Sequence, residues 1–266
     1  MSEDLTVEQS SDGIVTMTLN RPHKRNAVSD QMIEAIEAAC RRINGDMDVR
    51  CLIITGAGES FSSGGDLDDM RERRGHFSGM PVDARRIYRH GIQRIPLALQ
   101  GVEVPMIAAV NGAAVGAGCD IALMCDMRIA SDRATFAESF QRVGLISGDG
   151  GAWFLPRIVG PQWANFLTFT SEFIDATMAK EIGLVMRVVP HDTLMHEATK
   201  LAQRIVNQPP HAVRMNKRLL KASPTHSLDD LLELAATMQA AALQTEDHRE
   251  AYTALMEKRT PVYKAR

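Results

Sequence analysis

The stretch "VNGAAVGAGCDIALMCD", Val110 to Asp126, sets one carboxylic acid, Asp120, among small and apolar residues just after a glycine-rich turn. Upstream, "FSSGGDLDDM", Phe61 to Met70, follows the same plan: glycines, then Asp66, then an apolar residue. Each follows a continuous apolar run, "CLIIT" or "MIAAV". A turn made of Gly and Ala lets a ligand approach the backbone. If a helix starts there, its first N–H groups have no intrahelical acceptor. Two such turns side by side would aim two N–H groups at one oxygen, a device worth roughly 3–4 kcal/mol of transition-state stabilisation per donor. Small residues also let a helix and a strand pack closely, and either turn taken alone fits that use. Asp120 has two readings as well: an acid favoured by the dipole of a helix start, or a proton-transfer group. Asp149 in "SGDGGA" is a second candidate acid, or the N-cap of the helix that follows. Glu138 alternates with Phe136 and Phe140 and can face the same way as they do.

Other chemistries lack their residues. "GAAVGAGCD" has no third glycine for a dinucleotide turn, and "GAGESF" has no Lys-Ser/Thr pair for a phosphate loop. The four cysteines, at 40, 51, 119 and 125, form no CxxC pair, and no His/Cys cluster has metal-ligand spacing. They read as reduced thiols of a cytoplasmic protein. Net charge is -3, and the short basic stretches are interrupted by acids, which argues against nucleic acid as a partner. The polar start "MSEDLTVEQSSDG" is no targeting segment. No apolar run approaches the roughly 20 residues of a membrane span.

The elements that must position these groups are those of an α/β chain of 266 residues, a size that one α/β unit can reach. "LTVEQ" and "IVTMTL" around "SSDG" predict a hairpin. Ser29 predicts a helix N-cap, followed by a stripe at Met32, Ile36, Cys40 and Ile43. "RCLIIT" and "PMIAAV" are buried strands, a helix begins near Gly65-Asp66, and Arg71 to Gly79 reads as a mobile surface loop. A helix follows over Val82 to Gln100, and later short strands run from "MRIA" to "TFAESF". "GDGGAWFLPRIVG" opens a helix broken near Pro161. Residues 1–190 form the αβ core; 191–266 are almost wholly helical and belong to the same unit. The C-terminal helices carry more apolar surface, such as Leu228, Leu231, Leu232 and Leu234, than this chain alone can cover.

Five segments in order, "LNRPHKRNAVS", "LIITGAGESFSSGGDL", "PMIAAVNGAAVGAGCDIALMCDMRIAS", "VGLISGDGGAWFLPRIVG" and "EKRTPVYKAR", resemble the crotonase (enoyl-CoA hydratase/isomerase) superfamily across essentially the whole chain. The resemblance implies a spiral of ββα turns with a helical C-terminal trimerisation region, assembled as a homotrimer or a dimer of trimers. It implies acyl-CoA substrates, an enolate-like intermediate and no cofactor beyond the coenzyme A of the substrate. Matched residue by residue, the oxyanion donors fall on the N–H groups of Gly65 and Ala117. Coenzyme A falls on the loop of Lys24, Arg25 and Ala27 and on Gly65, Asp66, Leu67 and Asp68, with Lys258 reaching a neighbour's phosphate in the oligomer.

The chain departs from the hydratase pattern at its acids. That pattern holds a water between two glutamates. The first falls on Asp120, one methylene shorter; the second falls on Phe140, whose ring cannot activate water. In isomerase-type and dehalogenase relatives a working aspartate lies one residue before Asp149, in the slot that here is Gly148. The resemblance therefore implies an acyl-CoA enzyme of hydratase or isomerase type, working through Asp120 and Asp149. The alternative is a homologue without hydratase activity that binds acyl-CoA or hydrolyses a thioester.

Overall fold

A computed structural model describes residues 3–266. β1 (Leu5–Gln9) and β2 (Ile14–Leu19) form the expected hairpin. α1 (Asp30–Gly45) starts at Ser29, whose hydroxyl accepts the Met32 N–H at 3.0 Å. There follow β3 (Cys51–Gly56), α2 (Leu67–Glu72), α3 (Pro81–His90), α4 (Arg94–Gln100), β4 (Met106–Val110), β5 (Ala114–Val115) and α5 (Ala117–Leu123). β6 (Met127–Ser131), β7 (Thr135–Ala137), α6 (Gly151–Thr170), β8 (Ile174–Asp175), α7 (Ala176–Glu181) and β9 (Arg187–Val189) complete the mixed part. The chain closes with α8 (Leu194–Val206), α9 (Pro210–Ala222), α10 (Leu228–Ala242) and α11 (Glu246–Glu257).

Two sheets are present. The larger has the order β1-β2-β3-β4-β6-β9 and is parallel except for the first pair; the smaller has the order β5-β7-β8. Side chains of a strand alternate between its faces, and here both faces are buried. Leu52 and Ile54 join the main core with α1 and α4, while Cys51 and Ile53 join a second cluster under α8. That explains the unbroken apolar runs of β3 and β4, a pattern proper to parallel sheets covered on both sides.

The same step recurs along the chain. After β2 comes a bridge at Val28 and then α1; after β3, bridges at Ser62 and Gly65 and then α2. After β4 come β5 and α5; after β6, β7 and then α6. This is the repeated ββα unit that the resemblance implies. The bridges Val28–Gly65 and Ser62–Ala114 run parallel and bring successive turns together.

Two expectations are corrected and a third is borne out. Arg71 to Gly79 is not one open loop, because α2 runs to Glu72 and a short 3-10 turn spans Gly75–Phe77. The single helix expected over Val82 to Gln100 is two, interrupted at Gly91, whose dihedrals (φ −104°, ψ −114°) are not helical. The break in α6 falls at Gly160 (φ 75°, ψ 164°), one residue before the Pro161 that announces it. Among the described residues no helix is long and apolar enough to cross a membrane.

Candidate active site

The two glycine-rich turns meet. Val115 donates its N–H to the Ser62 carbonyl at 2.9 Å, and Ser62 donates to Ala113 at 3.0 Å. Gly64 has φ of 80°, and a Cβ there would lie 2.5 Å from the Val115 oxygen and 3.0 Å from the Ala117 nitrogen. Only a glycine lets the backbones approach so closely. Gly116 (φ 53°, ψ −123°) then swings the chain into α5 without a side-chain cap. The first N–H groups of α5 are therefore left open. Among the described residues, neither the Gly65 nor the Ala117 N–H has a protein acceptor. Both residues line one cavity of about 650 Å³.

That cavity also gathers Lys24, Arg25, Ala27, Asp66, Leu67, Asp68 and Phe140, so nearly all the positions expected to bind substrate come together. Asp66 has two tasks. It caps α2 by accepting the Asp68 N–H at 3.0 Å, and it pairs with Arg21 at 3.4 Å and Lys24 at 3.8 Å. Lys24 donates to Asp68 at 2.5 Å, and this contact raises the lysine's pKa above its ordinary value. The ammonium at the mouth is thus held in place by acids and stays charged. Arg142, which the sequence did not single out, lines the same mouth with its guanidinium 4.7 Å from the centre of the Phe173 ring. Phe140 packs on the bare face of Gly116, where a Cβ would lie 3.7 Å from its ring. Lys258 stands apart, as the left-handed C-cap of α11, and does not line the cavity.

The acids lie elsewhere. Asp120, one turn into α5, is 0% exposed and Asp149 is 4% exposed; neither lines the cavity. A Cβ on Gly151 would lie 2.2 Å from an oxygen of Asp120, so the start of α6 is bare where the acid presses against it. Asp149 does not cap α6. It sits one residue outside the N-cap, Gly150, and the Ala152 N–H goes instead to the Ser147 hydroxyl at 3.1 Å. Its Oδ1 accepts the Tyr88 hydroxyl of α3 at 2.6 Å. The third acid of this cluster is Glu138, 2% exposed and a neighbour of Asp120.

Burial, then the neighbouring Glu138 and Asp149, push Asp120 well above the usual carboxylate range. Burial pushes Glu138 up to about 7. Burial and then Asp149 also raise the Tyr88 hydroxyl. Sequence reasoning weighed Glu138 only by its alternation with two phenylalanines and missed Tyr88. That alternation holds in part, since Phe136, Glu138 and Phe140 are all buried.

The arrangement can therefore do two things. Paired N–H donors in a concave wall can stabilise negative charge on an oxygen. Behind that wall, buried acids with raised pKa values can hold protons that an ordinary carboxylate would have lost.

Comparison with known proteins agrees. The family profile described as enoyl-CoA hydratase/isomerase matches residues 9–266. A 1,2-epoxyphenylacetyl-CoA isomerase from Escherichia coli is 34% identical, over 94% of this chain and 95% of the relative. A short-chain-enoyl-CoA hydratase from Clostridium acetobutylicum is 36% identical, over 92% of each. The crystal structure of an enoyl-CoA hydratase from Bacillus anthracis superposes with a TM-score of 0.92 at 31% identity, covering 99% of this chain and 100% of that one.

Proposed function

The chain belongs to the enoyl-CoA hydratase/isomerase family, and on that premise we propose that it stabilises a thioester enolate on the N–H groups of Gly65 and Ala117 and moves protons on the acyl chain through Asp120. One observation carries this reading: two N–H groups without a protein acceptor open into the same cavity. The thioester oxygen accepts from both, and electron density released from the α-carbon collects there. The cavity's mouth takes the phosphates of coenzyme A near Lys24 and Arg25. The reaction needs no cofactor beyond the coenzyme A of the substrate.

Of the family's two named chemistries, double-bond migration fits better than hydration. Phe140 stands where a second carboxylate would hold the attacking water. Because Asp120 shares no surface with the cavity, proton transfer requires the Gly151 turn that presses on it to move as the acyl chain enters. That same burial favours one alternative, a protein that binds acyl-CoA or hydrolyses a thioester. We propose that the chain works as a homotrimer or a dimer of trimers, in which Lys258 reaches a neighbour's coenzyme A. We place it in the cytoplasm, where its four buried cysteines stay reduced.

The test is a panel of enoyl-, dienoyl- and β-hydroxyacyl-CoAs, followed by mass spectrometry for migration, hydration and hydrolysis. Migration is the expected result. Asp120→Asn lowers turnover by ~10²–10⁴ with binding nearly intact. The same loss in Asp149→Asn alone transfers the role to Asp149. Binding without any turnover establishes the carrier reading instead.

A further inference from the structure

The buried acids form a pattern that the family's two-glutamate scheme does not contain. Asp120 in α5 and Glu138 just after β7, the strand paired with β5 ahead of α5, are neighbours whose carboxyl groups act on each other. All four of their carboxyl oxygens are buried, and among the described residues none has a donor. The Gly151 N–H and the Cys119 thiol approach them without completing a hydrogen bond. The remaining charged or titratable groups nearby are Asp149, Tyr88 and, behind Cys119, Arg128. Arg128 is already committed, donating to the carbonyls of Leu184 at 2.6 Å and Cys125 at 2.7 Å. Tyr88 is committed to Asp149. Among the described residues no cation is left to neutralise the pair.

Two ionised carboxylates cannot sit together in such a place. Burial removes water, and like charge repels like charge. One proton between them resolves both problems: it cancels one charge and supplies the missing O–H donor. We propose that Asp120 and Glu138 share a single proton, and that Glu138 is the positioning residue which lets Asp120 both give and take a proton. The catalytic part of this inference rests on the function proposed above.

The proton balance closes. In the resting pair the proton passes from Asp120 to Glu138, which frees a carboxylate oxygen on Asp120. That oxygen takes a proton from carbon as the C–H bond breaks, and the electron pair moves into the enolate on the two N–H groups. Asp120 then gives the proton to a different carbon as the enolate collapses, and the shared proton returns. A double bond has moved, and no net proton or water has been consumed. A pair that always keeps one proton in hand suits this shuttle, whereas hydration needs a carboxylate facing water.

The experiment is infrared difference spectroscopy of the full chain in H2O and D2O. The protonated-carboxyl carbonyl band is compared in wild type, Asp120→Asn, Glu138→Gln and Asp149→Asn. Wild type should show such a band at pH 7. It should vanish in both Asp120→Asn and Glu138→Gln, since either amide gives the remaining carboxylate a donor, and persist in Asp149→Asn. Survival of the band in Glu138→Gln overturns the pair, because Asp120 would then be protonated by burial alone. Should one of the two amide variants fail to fold, the other still reports the band.

With a turned-over substrate from the panel, Glu138→Gln should move the basic limb of the kcat profile down by about one unit or more, with KM little changed. A lost band with an unmoved limb would reduce Glu138 to packing and overturn the positioning role. Absence of all turnover removes the proposed function and the shuttle with it, while the band by itself still decides whether the pair exists.

Discussion

At the scale of single residues, the acids behind the turn make the protein's stability depend on pH. Glu138 has an ordinary pKa of 4.5 and is pushed up to about 7 by burial in the folded chain. Between those values the unfolded chain releases this proton and the folded chain keeps it. The folded state then binds more protons, so the stability that Glu138 contributes falls as pH rises through the window, and that contribution levels off above about 7. A shift of this size corresponds to roughly 3–4 kcal/mol. Glu138→Gln removes this contribution, so denaturant titrations should find the variant gaining on wild type between pH 5 and pH 8. Parallel curves for the two proteins would count against the burial argument. How much of the site was legible in sequence follows from the kind of group involved. The roles proposed for Gly65 and Ala117 use backbone N–H groups, so small residues at the right spacing point to them. Glu138 was not legible as a neighbour of Asp120, because their meeting depends on the long-range pairing of β7 with β5, the strand that leads into α5. Tyr88 was missed for the same reason; its acceptor lies 61 residues away.

At the scale of elements, what the sequence shows best is the alternation of apolar strand, bare turn and helix. The strands β3 and β4 are read from their length and continuity, and α1 from its cap and stripe. Helix interruptions are read less well. Gly91 splits one periodic stretch into α3 and α4 with dihedrals that are not helical, and a lone glycine in a helical pattern does not by itself announce a break. The helical C-terminal part is fastened to the core by buried cations that no pattern announces. Lys217 of α9 is only 7% exposed, donates to the Val104 carbonyl at 2.6 Å and pairs with Asp126 at 2.7 Å. Arg214, one turn earlier, donates to the Val49 carbonyl at 3.0 Å. Lys217→Met keeps the stem's apolar volume and leaves a buried carbonyl unsatisfied. The expected loss is about 2–3 kcal/mol in chemical denaturation, with the active-site cavity unaffected. A variant as stable as wild type would show that this anchor contributes nothing net.

At the scale of the whole molecule, the single chain leaves much apolar surface uncovered. α10 has fifteen residues and none is buried, although Leu228 and Leu232 lie along it. Leu255 and Met256 of α11 are 76% and 79% exposed, and Phe169 of α6 is 68% exposed. Large apolar side chains gathered along terminal helices suit a partner surface better than solvent. Light scattering at micromolar concentration should therefore give a trimer or hexamer, and Leu228→Glu together with Leu232→Glu should shift it toward smaller species. A monomeric wild type would contradict the proposed assembly and with it the role proposed for Lys258. The overall architecture was legible because five motifs in order span the chain. The proposed assembly rests in the sequence only on an excess of apolar helix.

The central claim is that the Ala117 N–H, with that of Gly65, holds the negative charge of a thioester enolate. It is tested most directly by exchange of the α-hydrogens of a bound acyl-CoA in D2O, followed by mass spectrometry, for wild type and Ala117→Pro. Proline is tolerated at the first position of a helix, where its missing N–H breaks no helical bond, and Ala117 occupies that position in α5. The variant should thus keep the fold and lose one donor. The account predicts deuterium uptake by wild type and a fall of ~10²–10³ in Ala117→Pro, the cost of removing one such donor. Exchange at the wild-type rate in a folded Ala117→Pro protein would contradict it.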